Sequence, residues 1–408
     1  MSKSFLKSSV ILFIGTMTAN AGAYFFHLAL GRILTPAEYS TLGALLSIYI
    51  ILATPLGSVE NTAAKIISQK KEDSNILAGK IALTNQYLNK ISLISLFIYF
   101  LCIGLIYHYF NFTSFIGLTI LGFGLLFMFK LSWNRGVMQG LFDFNWLSIS
   151  FASEGLVKLF FGILLGLLFL RADIAIISLV LALLVAFCLS IFYLKQKFST
   201  NKISKDIKID YIKLIKESLR MIVGILGVSF FLSIDVLMAK KYLSAYDAGL
   251  YTALSTLGKI VYFAPLSIAT ALFPYISQEN KLALRLKLLK KALIMVCGVV
   301  VIALIFYFIW PKLIFTILFG EKYVFSWVLL GLIGLSLGVV GIVQLIVNYL
   351  LARKGWLFAI ALGFSAIIQF FAYTFFHQNV SQMVHVTLVC SGIMLLLISL
   401  ALFKTEKI

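Results

Sequence analysis

The sequence predicts an all-α, polytopic membrane protein, and its composition, its apolar runs and the placement of its basic residues all support that class. Of the 408 residues, 62% are hydrophobic and 12% are charged, whereas a soluble globular protein has about 25% charged residues. A chain this apolar has too little polar surface to be an ordinary soluble protein. The composition therefore predicts a chain that lies mostly within a lipid bilayer.

Twelve apolar runs are long enough to cross the bilayer, for which an α-helix needs about 20 residues. The short polar stretches between them leave room for loops but for no large domain outside the membrane. We therefore predict twelve transmembrane helices, near residues 8–30, 39–60, 88–110, 114–134, 147–170, 174–194, 219–240, 249–275, 292–310, 325–350, 356–376 and 384–403.

The basic residues determine the predicted orientation. Lys and Arg total 34 against 15 Asp and Glu, a formal charge of +19, which in a soluble chain would indicate nucleic acid. When the spans alternate from a cytoplasmic N-terminus, far more Lys and Arg fall in the inner segments than in the outer ones, as the positive-inside rule requires. We therefore predict a multi-pass protein with both termini cytoplasmic, in contact with membrane lipids and not with nucleic acid. The composition, rich in Lys, Ile and Phe, is typical of bacteria, so the predicted location is the bacterial cytoplasmic (inner) membrane.

A basic connection at residues 195–216 divides the spans into two lobes of six, residues 1–194 and 217–408. This cytoplasmic linker fits an amphipathic segment on the inner leaflet as well as a solvated connection. Because each lobe has an even number of spans, both lobes enter the membrane from the same side. We therefore predict that a pseudo-twofold axis along the membrane normal relates them.

A weak internal repeat supports this division. At an offset of 209 residues, Gly31–Gln69 aligns with Lys240–Gln278. Pro55 and Pro265 then fall in the second helix of each lobe. A proline inside a helix removes a backbone hydrogen bond and permits bending, so we predict that both prolines are hinges.

No motif for catalysis or cofactor binding is present. The chain lacks the GxxxxGK[ST] phosphate loop, the HExxH zinc motif and the GxSxG serine motif, which would indicate ATP hydrolysis or hydrolase chemistry. Its four cysteines each lie in an apolar run, without the spacing of a zinc site. We therefore predict that the protein is not an enzyme and uses neither a cofactor nor a metal.

Two lysines deep in predicted spans are the main candidates for substrate binding. A charged side chain at the bilayer centre costs about 3 kcal/mol, so it indicates a functional site by default. Lys158 in the fifth span and Lys259 in the eighth lie near the midplane, one in each lobe. Glu154 lies four residues before Lys158, a spacing that favours an ion pair on one helix face. That pair is the structural alternative for Lys158, and snorkelling to the lipid surface is the alternative for Lys259.

Four charged residues near the ends of spans complete the candidate set. Arg135 and Lys65, toward the inner mouth, would extend a cationic lining for the substrate or act as interfacial anchors. Asp235, near the outer end of the seventh span, and Glu60, near the inner end of the second, are candidate carriers of a coupled ion, H⁺ or Na⁺. Both carboxylates also fit a role as counter-ions for the neighbouring bases.

The chain resembles a known family in several segments. These are the opening helix followed by Leu30-Gly-Arg-Ile-Leu-Thr-Pro-Ala-Glu-Tyr-Ser-Thr-Leu, and Gln139-Gly-Leu-Phe before the fifth span. With the plan of six plus six helices, they are similar to the polysaccharide biosynthesis, or O-antigen repeat-unit, flippases of the multidrug/oligosaccharidyl-lipid/polysaccharide exporter superfamily.

The resemblance implies a transporter that moves a polyprenyl-pyrophosphate-linked oligosaccharide across the cytoplasmic membrane. The cargo would be an O-antigen, capsule or exopolysaccharide repeat unit, and lipopolysaccharide assembly would be one destination. The resemblance further implies alternating access through a cationic central cleft, with the polysaccharide polymerase machinery as a partner. Lys158 and Lys259, then Arg135 and Lys65, are the positions that fit the cationic lining.

Two alternatives stay open from the sequence, beside the related lipid II flippases, which usually have fourteen helices rather than the twelve predicted here. A cation-coupled multidrug antiporter of the same superfamily would share the helix plan, but usually has an acidic residue in the first helix, and Ser8–Leu30 has none. A membrane enzyme or scaffold without transport activity is the second alternative. It would be favoured if Lys158 and Lys259 faced lipid or separate helix contacts.

Overall fold

A computed structural model describes residues 3–69, 74–198, 211–265, 281–352 and 356–406. Within these ranges every regular element is a helix and no strand occurs, which confirms the all-α class. In chain order the helices are α1 (Lys3–Ile33), α2 (Pro36–Ala53), α3 (Leu56–Gln69), α4 (Ser74–Tyr109), α5 (Ile116–Gly140), α6 (Phe144–Phe169), α7 (Ala172–Ala175), α8 (Ile177–Phe198), α9 (Tyr211–Tyr242), α10 (Ala245–Phe263), α11 (Leu282–Ile309), α12 (Pro311–Phe319), α13 (Val328–Ala352), α14 (Leu357–Phe375) and α15 (Val380–Glu406).

In the described residues, ten helical stretches are long and apolar enough to cross a membrane, which confirms a polytopic membrane protein. Helices α9 and α10 take the places of the two other predicted spans, 219–240 and 249–275. Of the latter, residues 266–275 lie outside the described residues. Several helices are longer than predicted, and α4 starts at Ser74 rather than near 88. Hydropathy missed this extension because polar residues such as Asn75, Lys80 and Gln86 lower its mean hydropathy. Helix propensity does not depend on an apolar surrounding, so the segment still forms a helix.

Contacts divide the chain into two compact units. The first comprises Met1–Leu34 and Leu52–Ile222, and the second comprises Thr35–Ile51 and Val223–Ile408. Most of α2 therefore packs with the second unit, although the helices on either side of it in sequence pack with the first.

The predicted lobe limits, 1–194 and 217–408, assign this part of α2 to the N-terminal lobe. These limits stay a prediction. Within the predicted basic linker, residues 199–210 lie outside the described residues.

Polar contacts hold the segment 35–51 within the second unit. The hydroxyl groups of Tyr39 and Thr256 share a hydrogen bond of 3.3 Å. The Nζ atom of Lys240 donates to Oγ1 of Thr41 at 3.0 Å. Tyr39 is fully buried, so this bond lies inside the unit and links α2 to α10.

A buried ion pair joins three helix ends in the second unit. Nη2 of Arg285, on α11, donates to Oε2 of Glu406, on α15, at 2.8 Å. The hydroxyl of Tyr349, on α13, donates to Oε1 of the same carboxylate at 2.9 Å. Both charged side chains are buried, and loss of one partner would leave the other charge uncompensated, at a cost of about 3–5 kcal/mol.

In the first unit, small residues bring α1 and α6 close together. A Cβ atom added to Gly155 would lie 2.6 Å from Cα of Ala19, and one added to Gly22 would lie 2.7 Å from the carbonyl oxygen of Gly155. Glycine and alanine at such positions allow the backbones of membrane helices to approach closely. The crossing fixes the turn of α6 that contains Glu154 and Lys158.

We expect Gly155→Val to push α1 and α6 apart and to destabilise the first unit. Overpacking of this kind costs about 1–3 kcal/mol, so the midpoint of thermal unfolding in detergent should fall by several degrees. Gly104→Val on α4 is the matched control, because nothing lies within 4 Å of a Cβ there. Equal midpoints for the two variants would contradict the packing that we describe.

Candidate functional site

In the first unit, the guanidinium of Arg135 is bound to α6. Arg135 lies on α5 and is buried. Its Nε donates to Oγ of Ser150 at 2.9 Å, and its Nη2 donates to the carbonyl oxygen of Ser150 at 2.9 Å. The same Nη2 forms a salt bridge with Oε2 of Glu154 at 2.7 Å. The guanidinium also lies over the ring of Phe151, 4.2 Å from its centroid.

Glu60 joins this cluster from α3. The backbone of Glu60 lies directly against Gly136 of α5, where a Cβ atom would not fit. This close approach brings the carboxylate of Glu60 within electrostatic reach of both Arg135 and Glu154. The first unit therefore gathers three of the predicted site residues into one cluster.

The ion pair between Glu154 and Lys158, which was the structural alternative for Lys158, does not form. Glu154 is bound to Arg135 instead, because the guanidinium from α5 reaches it directly. Lys158, one turn further along α6, is half-buried and lies near the middle of the span Phe144–Phe169. Its Nζ lies 5.1 Å from the centroid of the Phe26 ring. Among the described residues, this amino group has neither a hydrogen bond nor a salt bridge, and it interacts with Glu154 only at longer range.

In the second unit, Lys259 and Asp235 lie on neighbouring helices and influence each other electrostatically. Lys259, on α10, has no acidic residue near it in sequence, but Asp235 of α9 is within electrostatic reach. Asp235 is fully buried, whereas Lys259 is half-buried. The spacing along the chain could not reveal this pair, since the two residues lie on different helices.

One carboxylate oxygen of Asp235 is held by hydroxyl groups. Oγ of Ser255 donates to Oδ2 at 2.7 Å, and the hydroxyl of Tyr251 lies 3.5 Å from the same oxygen. The hydroxyls of Tyr251 and Tyr373 each share a hydrogen bond with Oγ1 of Thr387, at 2.8 and 2.7 Å. Oδ1 of Asp235 has no hydrogen-bond partner among the described residues.

Tyr251, Tyr373 and Thr387 were missed by the sequence reasoning. They come from α10, α14 and α15, and each is an ordinary polar residue in an apolar helix. Only the fold brings their hydroxyl groups into one network around Asp235. The sequence signal that was available is the carboxylate itself inside an apolar span.

The other predicted residues lie at helix ends and surfaces. Lys65 is exposed on α3. Pro55 lies in the interruption between α2, which ends at Ala53, and α3, which begins at Leu56. Pro265 follows the end of α10 at Phe263 and is buried. Among the described residues, no three His, Cys, Asp or Glu side chains cluster in a way that could hold a metal ion.

Comparison with known proteins finds a family match across most of the chain. The model of a family described as "Polysaccharide biosynthesis protein" matches residues 5–280. No match was found among curated proteins.

Solved structures show which fold the chain has. It is similar to a multidrug resistance MATE family transporter of the MOP superfamily in an inward-facing conformation, with 12% identity and a TM-score of 0.73 over 98% of this chain and 99% of the other. It is also similar to a MOP superfamily transporter from Pyrococcus furiosus, with 13% identity and a TM-score of 0.63 over 100% and 97%. The eukaryotic MATE transporter AtDTX14 matches with 13% identity and a TM-score of 0.64 over 99% and 98%. At these identities the likeness shows a shared fold.

We expect a double-mutant cycle to show which base is coupled to Glu154. Glu154→Gln and Arg135→Gln, singly and together, should give a coupling energy at the upper end of the usual 0.5–3 kcal/mol range for contacting residues. The matched cycle with Lys158→Gln should give much weaker coupling, because the salt bridge of Glu154 in the described residues is with Arg135 and not with Lys158. Thermal unfolding in detergent measures both cycles, and stronger coupling to Lys158 would contradict the geometry.

Proposed function

The chain belongs to the polysaccharide biosynthesis protein family, and on that basis we propose that it is a flippase. Its cargo is a polyprenyl-pyrophosphate-linked oligosaccharide, which it moves from the inner to the outer leaflet of the bacterial cytoplasmic membrane. Its termini lie in the cytoplasm, and the polymerase machinery that consumes the lipid-linked sugar is its partner. The observation that supports this proposal most directly is the amino group of Lys158.

Lys158 has the properties of a ligand for an anionic head group. A lysine in the middle of a span, without an acceptor among the described residues, is costly unless something else supplies negative charge. A diphosphate supplies that charge in return for the hydration that it loses in the membrane. Lysine binds phosphate as a compact point charge, which lets the cargo leave again on the other side. The guanidinium of Arg135 is already bound to Ser150 and Glu154 of α6. Its proposed role is therefore to orient α6, and Lys158 is the first ligand of the diphosphate.

Lys259 is the corresponding ligand in the C-terminal lobe. It is half-buried, like Lys158, and occupies the second helix of the second lobe. In the proposed cycle each lysine is a diphosphate ligand of its own lobe, and Lys65 attracts the cargo at the inner mouth. With the cell interior negative, outward movement of two negative charges is favoured by about 4.6 kcal/mol per 100 mV. The interruption at Pro55 and the residue Pro265 are the proposed hinges of alternating access.

A gradient of H⁺ or Na⁺ is the proposed second driving force, and Asp235 is its first candidate site. A buried carboxylate with one free oxygen, surrounded by hydroxyl groups, can accept a proton or help to coordinate a cation. Because Lys259 is within electrostatic reach, a change of charge at Asp235 alters the field at that lysine. Glu60 is the second candidate, since its charge acts on Arg135 and Glu154 in the same way.

A cation-coupled multidrug antiporter is the second candidate function. The free oxygen of Asp235 favours it, because cation coupling needs such a group whatever the cargo is. The two functions predict different substrates. Lysines in the lining repel a cationic drug and attract a diphosphate, so transport of each by the same preparation separates them.

We expect Lys158→Met to slow flipping of a lipid-linked oligosaccharide in proteoliposomes by about 10-fold or more, since a hydrogen bond to a charged group is worth about 1.5–3 kcal/mol. Lys259→Met should behave alike, and Lys158→Arg should keep part of the rate. The control is Lys312→Met, which removes an exposed lysine on α12. Parental rates for well-folded Lys158→Met and Lys259→Met proteins would refute the assigned roles.

We expect Asp235→Asn to remove the acceleration that an imposed H⁺ or Na⁺ gradient gives to the parent. Equilibration without a gradient should continue, because the diphosphate ligands are intact. Asp247→Asn, in the first turn of α10, is the control and should keep the response. A gradient response that survives Asp235→Asn but not Glu60→Gln would transfer the coupling role to Glu60.

A further inference from the structure

Two amide side chains of α13 lie on the one face of the helix that is not packed inside the unit. Across residues 343–350 every side chain is buried except Gln344 and Asn348, which are both half-buried. They are four residues apart and so occupy the same helix face. The apolar side chains of this segment point into the unit and the two amides point away from its core.

The amides continue a hydrogen-bond chain that starts on α10. The hydroxyl of Tyr262 donates to Oε1 of Gln344 at 3.4 Å, and Nε2 of Gln344 donates to Oδ1 of Asn348 at 3.0 Å. Gly341 permits this contact, because it lies close to Pro265 and to the backbone of Tyr262.

The two amides of this hydrogen-bond row do not use all their donors and acceptors. Each amide has two N–H donors and an oxygen with two lone pairs. Gln344 and Asn348 use only part of this capacity, and Nδ2 of Asn348 has no acceptor among the described residues. Hydrocarbon cannot satisfy such groups, so among the described residues this face offers its remaining N–H groups to water or to a polar ligand.

We propose that Tyr262, Gln344 and Asn348 form a subsite for sugar hydroxyl groups next to Lys259. The inference rests on the proposed function. Lys259 lies three residues before Tyr262 on α10, and residues with that spacing are neighbours on a helix surface. A ligand whose phosphate binds Lys259 therefore places its first sugar beside the amide pair.

The chemistry of the pair fits hydroxyl groups better than phosphate. An amide both donates and accepts, as does a hydroxyl, whereas an unprotonated phosphate oxygen only accepts. Two amides in a fixed relation can engage neighbouring hydroxyls of one ring. A site built on such bonds discriminates strongly against a ligand that lacks the hydroxyl, because its own polar groups are then left without partners. The amide pair thus selects the sugar and the lysine holds the diphosphate.

The test compares two substrates in the same proteoliposomes: polyprenyl diphosphate that bears the oligosaccharide and bare polyprenyl diphosphate. Gln344→Leu and Asn348→Leu should slow flipping of the glycosylated lipid by about 10-fold, the effect of losing one good hydrogen bond, and leave the bare lipid at the parental rate. Lys259→Met should slow both. Gln139→Leu, the same change at a half-buried amide on α5, should alter neither.

The outcomes separate this inference from the proposed function. If the two leucine variants slow both lipids equally, the amides support the fold and the inference is wrong. If they slow neither, it is wrong as well, although the flippase stands. If the parent protein moves neither lipid and also fails to bind a soluble short-chain analogue of the glycosylated diphosphate, both the function and the subsite are refuted.

Discussion

A buried charge needs a partner, and this requirement explains the ion pairs of Arg135 and Arg285. Arg135 is bound by Ser150 and Glu154, and the carboxylate of Glu406 is bound by Arg285 and Tyr349. The charges of these groups are compensated by neighbouring side chains, and the resulting contacts stabilise the fold. Lys158 departs from the pattern among the described residues, and for that reason it is the most informative side chain in the protein.

Helix packing and site geometry depend on each other. The backbone contact of Gly155 with Ala19 fixes the face of α6, and that face contains Glu154 on one side and Lys158 on the other. The contact of Gly136 with Glu60 does the same for α5 and α3. Because the small residues sit beside the charged ones, a change in helix spacing would also move the charges. The position of the amino group of Lys158 is thus a property of the packing of α1, α5 and α6.

The sequence predicted the helices better than the contacts between them. Hydropathy reports burial in lipid, so it located the spans but neither their polar extensions, such as the start of α4 at Ser74, nor the interruption between α2 and α3. It identified Lys158, Lys259 and Asp235 because charge stands out in an apolar run. It assigned Glu154 to Lys158 because spacing along one helix shows only local partners, whereas the actual partner comes from α5. Spacing could not reveal the network around Asp235 for the same reason, since its residues come from four helices, α9, α10, α14 and α15.

The placement of α2 in the second unit affects how the chain can fold as it is made. Tyr39 is synthesised 217 residues before its hydrogen-bond partner Thr256. Thr41 is synthesised 199 residues before its partner Lys240. At about 5–20 residues per second, a ribosome needs on the order of ten seconds or more to deliver those partners. Throughout that interval the segment Thr35–Ile51 must stay in the membrane without its packing partners in the second unit. The nascent protein therefore depends on a late long-range closure, and neither half translated alone would contain all the pieces of the second unit.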